Sequence, residues 1–512
     1  MPSPLLLLLL TGASLTCQSP VSIETRPRLT ASLPATAPKD ASDVIDHGYP
    51  ALAFSSHSFH EYTGSKASPN TFSANLIETI ANRTGSSVHI RVGGTSGDFA
   101  HYQADQNVAV KLPSGAKAGG IPRGMALGSP WFEGFANFPS VKWTYMAHFA
   151  NESDISNSVA GVQEALKYIG PNLEALEIGN EIDLYPNDNR PKGYNAAQYV
   201  EQWHEYEDAI TKAFGEKQYQ APVFANNKCP FCIANTFQKG QDSKKNVRSA
   251  ALHHYMDEGP VPVSDVQSHY LNHSRIVDQT SAFQLPVAFL KANHPDIPLY
   301  LAEVNSNTYS TDNYDVLGTF GSALWLVDFL MYGMVLNIGR VNVQQSTGFS
   351  YASWRAVEYN GLAPAVLPPY YAHPFVADVI GNGKDKVRVT DLRLSQDKFA
   401  GYGIYEGSPG QLKKIVLLNL ELYNSTTGGA RPSSTMDLDL GSASKNAKIE
   451  KLTAPGAEVQ DASKISWKGD SWTYQSHGRA VPGASTTEHK SVSGGRLSVT
   501  VQASEAVLVT LS

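Results

Sequence analysis

The chain has 512 residues, is 42% hydrophobic and 17% charged, and carries a formal net charge of −7 and three cysteines. That apolar share can build a large core and excludes disorder as the main state. The mild acidity argues against a nucleic-acid binder, which carries a basic face, and three cysteines are too few for a disulfide-built scaffold.

Residues 5–10 are six consecutive leucines. The run has the length of the apolar part of a secretory signal and is too short to span a bilayer, although no Lys or Arg precedes it. The expectation is a signal peptide over 1–17 and a secreted protein. Residues 18–40, rich in Pro, Thr, Ser and Ala, read as a linker with room for one strand, at 21–23.

Strand-like runs then follow at 51–54, 88–92, 143–146, 173–178, 222–224, 251–255, 298–301 and 340–343. Helical patterns at 75–83, 159–169, 198–214, 285–292 and 321–337 fall between or after them. Eight strands with interposed helices over about 300 residues is the arithmetic of a (β/α)8 TIM barrel, an α/β fold. A doubly wound open sheet would usually show a Gly-rich phosphate loop after its first strand, and none stands there. Residues 318–338 carry one charge, Asp328, and mimic a membrane span. A central Asp costs roughly 2.5–3.5 kcal/mol on insertion, so a buried barrel helix is the reading, with no membrane partner.

Past residue 385 the texture changes. Runs at 387–389, 399–405, 415–418, 436–440, 447–452, 497–501 and 506–511 are strand-like, separated by Gly, Ser and Asn turns with no helix between. They predict a C-terminal antiparallel β-sandwich. The predicted division is therefore signal 1–17, linker 18–40, barrel 41–385 and sandwich 386–512.

Cys229-Pro-Phe-Cys232 could be a redox motif or half of a zinc site. A zinc site needs four ligands and no second Cys pair exists, so a local disulfide in an oxidising compartment is expected. Glycosylation sequons at Asn82, Asn151, Asn272 and Asn424 fit the same compartment.

A barrel's active site lies at the C-terminal ends of its strands. The fourth strand ends Glu177-Ile178-Gly179-Asn180-Glu181, and the seventh runs into Ala302-Glu303-Val304-Asn305-Ser306. Two carboxylates facing each other across a pocket are the minimal equipment for glycoside hydrolysis, with retention at a separation of about 5–5.5 Å and inversion at about 6.5–9.5 Å.

With those residues in place, the chain resembles glycoside hydrolase family 79, the β-glucuronidase and heparanase-like family. The resemblance rests on Asn180-Glu181, Glu303, the strand end Ile90-Arg91-Val92-Gly93-Gly94-Thr95, the sixth-strand His253-His254-Tyr255, and Thr319-Phe320-Gly321-Ser322-Ala323-Leu324-Trp325. It spans about residues 51–354, and the sandwich is similar to the family's C-terminal β-domain.

The resemblance implies a retaining mechanism with Glu181 as acid/base and Glu303 as nucleophile, and neither metal nor organic cofactor. Arg91 and Tyr255 would orient Glu303; the alternative for Arg91 is an internal ion pair with Glu177. Asn180 fits a hydrogen bond to the sugar 2-hydroxyl. By resemblance, the loop 307–310 with the Tyr309 hydroxyl would hold the C6 carboxylate of a glucuronide. Trp354 would stack on a sugar face or pack in the core, and Gln344 and Gln345 end the eighth strand within reach of the pocket.

The chain departs from the family pattern after the first strand. His57 stands where members carry an acidic residue that meets the distal sugar hydroxyls, unless Glu61 takes that place. The expected protein is a monomeric exo-β-glucuronidase with a carbohydrate substrate. A retaining β-glycosidase for a neutral sugar and a non-catalytic carbohydrate-binding barrel also fit these residues.

Overall fold

The computed structural model describes residues 28–117, 120–152, 154–308, 312–394, 396–441 and 443–512. The predicted signal over 1–17, the strand at 21–23 and Tyr309 lie outside the described residues.

Eight parallel strands close into a barrel. They are β1 (Pro50–Ser55), β2 (His89–Gly93), β3 (Lys142–Ala147), β4 (Leu173–Ile178), β5 (Tyr219–Phe224), β6 (Val247–Asp257), β7 (Leu299–Asn307) and β8 (Arg340–Gln345). The ring closes where β8 pairs β1, with Val343 beside Leu52 and Gln345 beside Phe54. Such closure excludes the open doubly wound sheet.

Helices pack outside the strands. Thr71–Thr84 begins four residues before the pattern read at 75–83, because the Asn70 side chain accepts from Ser73 N and caps it. Ala196–Phe214 starts with a capping box between Asn195 and Gln198. The segment that mimicked a membrane span is the helix Phe320–Val335, buried along nearly its whole length. No helix of the described residues is long and apolar enough to cross a membrane. Asp328 is not solvated there: it accepts from the Tyr402 hydroxyl at 2.5 Å and lies 3.0 Å from His273 Nδ1.

The C-terminal strands form two facing antiparallel layers, except that the N-terminal strand Leu29–Ser32 joins Ser433–Asp439 in parallel. This strand falls within the segment read as linker. The larger sheet carries Val387–Asp391, Phe399–Glu406, Gln411–Asn419, Glu505–Leu511 and Asn446–Thr453, and continues into short strands between 466 and 491 that the sequence reading missed. Those strands are two to four residues long, too short to show an alternation.

The long apolar runs at 415–418 and 506–511 have a direct cause. Ile415, Leu417, Val507 and Val509 pack on Met436, Leu438 and Val499 of the small sheet. Their neighbours Val416, Leu418, Ala506 and Leu508 join the barrel core. Successive side chains of a strand point to opposite faces, so a sheet covered on both sides reads as a continuous apolar run.

Candidate active site

The C-terminal ends of the barrel strands surround a cavity of about 360 Å³ that both glutamates enter. A carboxylate oxygen of Glu181, one of Glu303 and a ring nitrogen of His253 all lie within 4.8 Å of one another.

Local backbone places Glu181. Gly179 turns the chain after β4 at φ +82°, where a Cβ would stand 2.9 Å from Phe149 Cβ. Glu181 itself has φ 51°. A non-glycine residue in the left-handed region costs of order 1–3 kcal/mol, and such strain gathers at functional sites. His253 Nδ1 lies 2.9 Å from Glu181 Oε1. Burial pushes the Glu181 carboxyl up to about 6, against the pull of the Arg91 charge. Burial also pushes His253 down to about 4, so it is neutral at physiological pH.

Arg91, on β2 and 1% exposed, sits beneath the cavity. Its Nε donates to Glu177 Oε2 at 2.8 Å, its Nη1 to Glu303 Oε2 at 2.7 Å and its Nη2 to Asn180 Oδ1 at 2.7 Å. The two readings of Arg91, internal ion pair and partner of Glu303, therefore hold together. Gly93 makes room for the guanidinium, since a Cβ there would meet Arg91 Cζ at 2.9 Å. Tyr255 donates to Glu303 Oε1 at 2.6 Å, so Glu303 receives one charged and one neutral donor.

Glu181, Glu303, Tyr255 and Gln344 line the cavity, and Asn180 adjoins it through Arg91. Trp354 does not reach it. Its ring is fully buried against Phe54, Tyr62 and Tyr370, and Nε1 donates to Ser73 Oγ. Gln345 does not reach it either: the pleat turns it away from Gln344, and it bonds Ser353 N and Oγ. His57 stands behind the wall, with Nδ1 and Nε2 each 3.0 Å from the hydroxyls of Ser96 and Ser346. Burial pushes it down to about 4, so it is neutral and both nitrogens are taken. Ser55 and Ser96 line the cavity; neither His57 nor Glu61 does.

Several wall residues went unread in the sequence. Phe349 and Tyr351 supply the aromatic wall in place of Trp354. Their signal was two aromatics in the loop that follows β8, the position from which barrel loops reach the mouth. His253 was noted as part of a motif but not as the partner of Glu181. Cys229 and Cys232 form a disulfide, with Cα atoms 4.7 Å apart. Of the sequon asparagines, Asn82 and Asn151 are exposed, whereas Asn272 and Asn424 are half-buried.

Comparison with known proteins agrees with this architecture. Residues 401–508 match the model of the glycosyl hydrolase family 79 C-terminal beta domain. The chain is 28% identical to a beta-glucuronidase of Aspergillus niger over 96% of each sequence. It is also 28% identical to a beta-glucuronidase of Neurospora crassa over 86% of this chain and 87% of that one. A 4-O-alpha-L-rhamnosyl-beta-D-glucuronidase from Fusarium oxysporum superposes with a TM-score of 0.80 at 23% identity, covering 94% of this chain and all of that one. A GH51 arabinofuranosidase from Xanthomonas axonopodis pv. citri shares the fold at a TM-score of 0.64 and 13% identity, over 95% of this chain and 100% of that one. With two carboxylates at the mouth of a closed barrel and a match to the family 79 C-terminal domain behind it, the chain is a glycoside hydrolase that is similar over nearly its whole length to beta-glucuronidases.

Proposed function

We propose that the protein hydrolyses β-D-glucuronides with retention of anomeric configuration. The observation that carries this reading is the approach of Glu181 and Glu303 oxygens to within 4.8 Å. Retaining glycosidases hold their two carboxyl groups about 5–5.5 Å apart and inverting ones about 6.5–9.5 Å, and an oxygen–oxygen approach this close supports the retaining side.

Glu303 is the nucleophile, oriented by Arg91 and Tyr255. It attacks the anomeric carbon while the Glu181 carboxyl gives its proton to the departing glycosidic oxygen. Glu181, now a carboxylate, takes a proton from the water that displaces Glu303 from the glycosyl-enzyme. Its raised pKa suits a group that must be protonated before the first step and deprotonated before the second. Arg91 occupies Asn180 Oδ1 and so fixes the amide, leaving Nδ2 as a donor toward the sugar 2-hydroxyl.

The glucuronide is supported by the Aspergillus and Neurospora relatives, both beta-glucuronidases. Two buried polar atoms on the cavity wall, Thr308 Oγ1 and His254 Nε2, have no partner among the described residues. Both can donate to a C6 carboxylate, and several neutral donors suffice to hold one. The Tyr309 hydroxyl would add to them. The Cys229–Cys232 disulfide supports a secreted protein in an oxidising compartment.

A panel of 4-nitrophenyl β-glycosides tests the substrate. The glucuronide should show the highest kcat/KM; a β-glucoside or β-galactoside turned over faster would replace it with a neutral sugar.

A further inference from the structure

Outside the carboxylate pocket, a second group of ligand-bearing side chains gathers at the same end of the barrel. His148 directly follows β3, His101 lies on the short strand His101–Tyr102 in the connection after β2, and Asp154 precedes the helix Ile155–Ile169. One ligand atom from each lies within 4.8 Å of the other two. His101 Nδ1 is 3.1 Å from Asp154 Oδ2. Two atoms bound at about 2.0–2.1 Å to one tetrahedral ion stand roughly 3.3 Å apart, so this spacing suits a shared metal. We propose that His101, His148 and Asp154 form a binding site for a divalent transition metal of the zinc class.

The surroundings of the three residues support a built site. His148 is buried, and its Nε2 lies 3.2 Å from Asn157 Oδ1. An amide oxygen only accepts, so Nε2 carries the proton and the Nδ1 lone pair is the one offered to a metal. The same Asn157 Oδ1 accepts from Tyr102 N at 2.9 Å, and Asn157 Nδ2 donates to Tyr102 O at 2.8 Å. Asn157, in the first turn of the helix, thereby holds both the ring of His148 and the backbone beside His101. This is the outer-shell arrangement that metal-ligating histidines ordinarily have.

Donor chemistry selects the ion. Two imidazole nitrogens and one carboxylate suit Zn²⁺ and its neighbours, whereas Mg²⁺ and Ca²⁺ take oxygen. Three protein ligands leave a fourth position for water. The His101 side chain is 43% exposed and that of Asp154 24%, so an ion has a path in. A bound ion would tie the connection after β2, which carries the cavity residues Thr95 and Ser96, to the end of β3 and the start of the helix.

The test uses the full chain without an affinity tag, stripped with a chelator, dialysed and titrated with ZnCl2 by calorimetry, with melting temperature as the second readout. One zinc per chain and a raised melting temperature are expected. His101→Ala and Asp154→Asn, both at partly exposed positions, should each weaken zinc binding by at least about 10–100-fold without changing the melting temperature of the metal-free protein. MgCl2 should give neither signal. Glu181, His253 and Glu303 also lie within 4.8 Å of one another, so Glu303→Gln is the control and should retain the zinc. Absence of binding, equal binding by His101→Ala and the parent protein, an equal response to MgCl2, or loss of zinc in Glu303→Gln alone would overturn the proposal.

Discussion

Arg91 Nη1 donates to Glu303 Oε2 at 2.7 Å from a position 1% exposed to solvent. The same guanidinium holds Glu177 and Asn180, so one planar fork sets three groups at the cavity floor. A buried charge of this kind is tolerated because its carboxylate partners are beside it; removing one partner from such a pair typically costs about 3–5 kcal/mol. Arg91→Lys keeps the charge and loses the fork, since an ammonium is a point charge with no planar donor set. Steady-state kinetics should show kcat/KM reduced by about 100-fold, and scanning calorimetry a lower melting temperature. An unchanged kcat/KM would remove Arg91 from the positioning role.

The two glutamates should fail differently. Glu303→Ala should reduce turnover of every aryl glucuronide by roughly 10⁴-fold or more, the scale of a deleted nucleophile. Glu181→Ala should spare substrates with acidic leaving groups, which need little protonation, and lose those with poor ones. A plot of log kcat/KM against leaving-group pKa reads this directly: it should be steep for Glu181→Ala and shallow for the parent. Equal slopes would reassign the acid.

Burial raises the Glu181 carboxyl to about 6. The free enzyme must hold that proton for the first step, so kcat/KM should fall tenfold per pH unit above about 6. A pH profile on an aryl glucuronide with a poor leaving group checks it. A descending limb near the ordinary glutamate value of about 4.3 would show that the site does not raise it.

An ion pair of the barrel, capped by a hydroxyl of the sandwich, should make stability depend on pH. His273 lies 3.0 Å from Asp328 Oδ2, and Tyr402 of the sandwich donates to the same carboxylate. Burial alone would lower the His273 pKa, but the Asp328 charge and hydrogen bond outweigh it and raise it from 6.5 to about 8. A raised folded-state pKa contributes stability that is fully present below the unfolded value near 6.5 and is lost as pH rises through 8. The contribution is about 2 kcal/mol, at 1.36 kcal/mol per unit. Urea unfolding at pH 6, 7, 8 and 9 should show that decline, and Asp328→Asn should flatten it.

Much of this was legible before the structure. The eight barrel strands were readable because strands buried on both faces appear as short apolar runs, and Glu181 and Glu303 were readable because each comes where an apolar run ends. Helix starts were less so: Asn70 caps Thr71–Thr84 four residues before the pattern read at 75–83, and capping depends on one hydrogen bond rather than on periodicity. The sequence leaves Trp354 open between the pocket and the core, and sets Gln345 within reach of the pocket, for a different reason. Gln345 ends β8 and Trp354 follows a loop beyond it, and the side a residue faces there depends on pleat and loop path, which one-dimensional order does not carry. His57 was legible as a departure from the family pattern, yet its two serine partners come from distant parts of the chain, at 96 and 346. The triple contact of Arg91 joins residues up to 212 positions apart and follows only from barrel closure.

The first-formed sugar anomer is the most direct test of the central claim. Proton NMR of an aryl β-D-glucuronide digest, recorded within the first minutes before mutarotation, should show β-glucuronic acid appearing first, because two displacements at Glu303 and water restore the starting configuration. The α-anomer appearing first would contradict the account and make Glu303 a base that activates water.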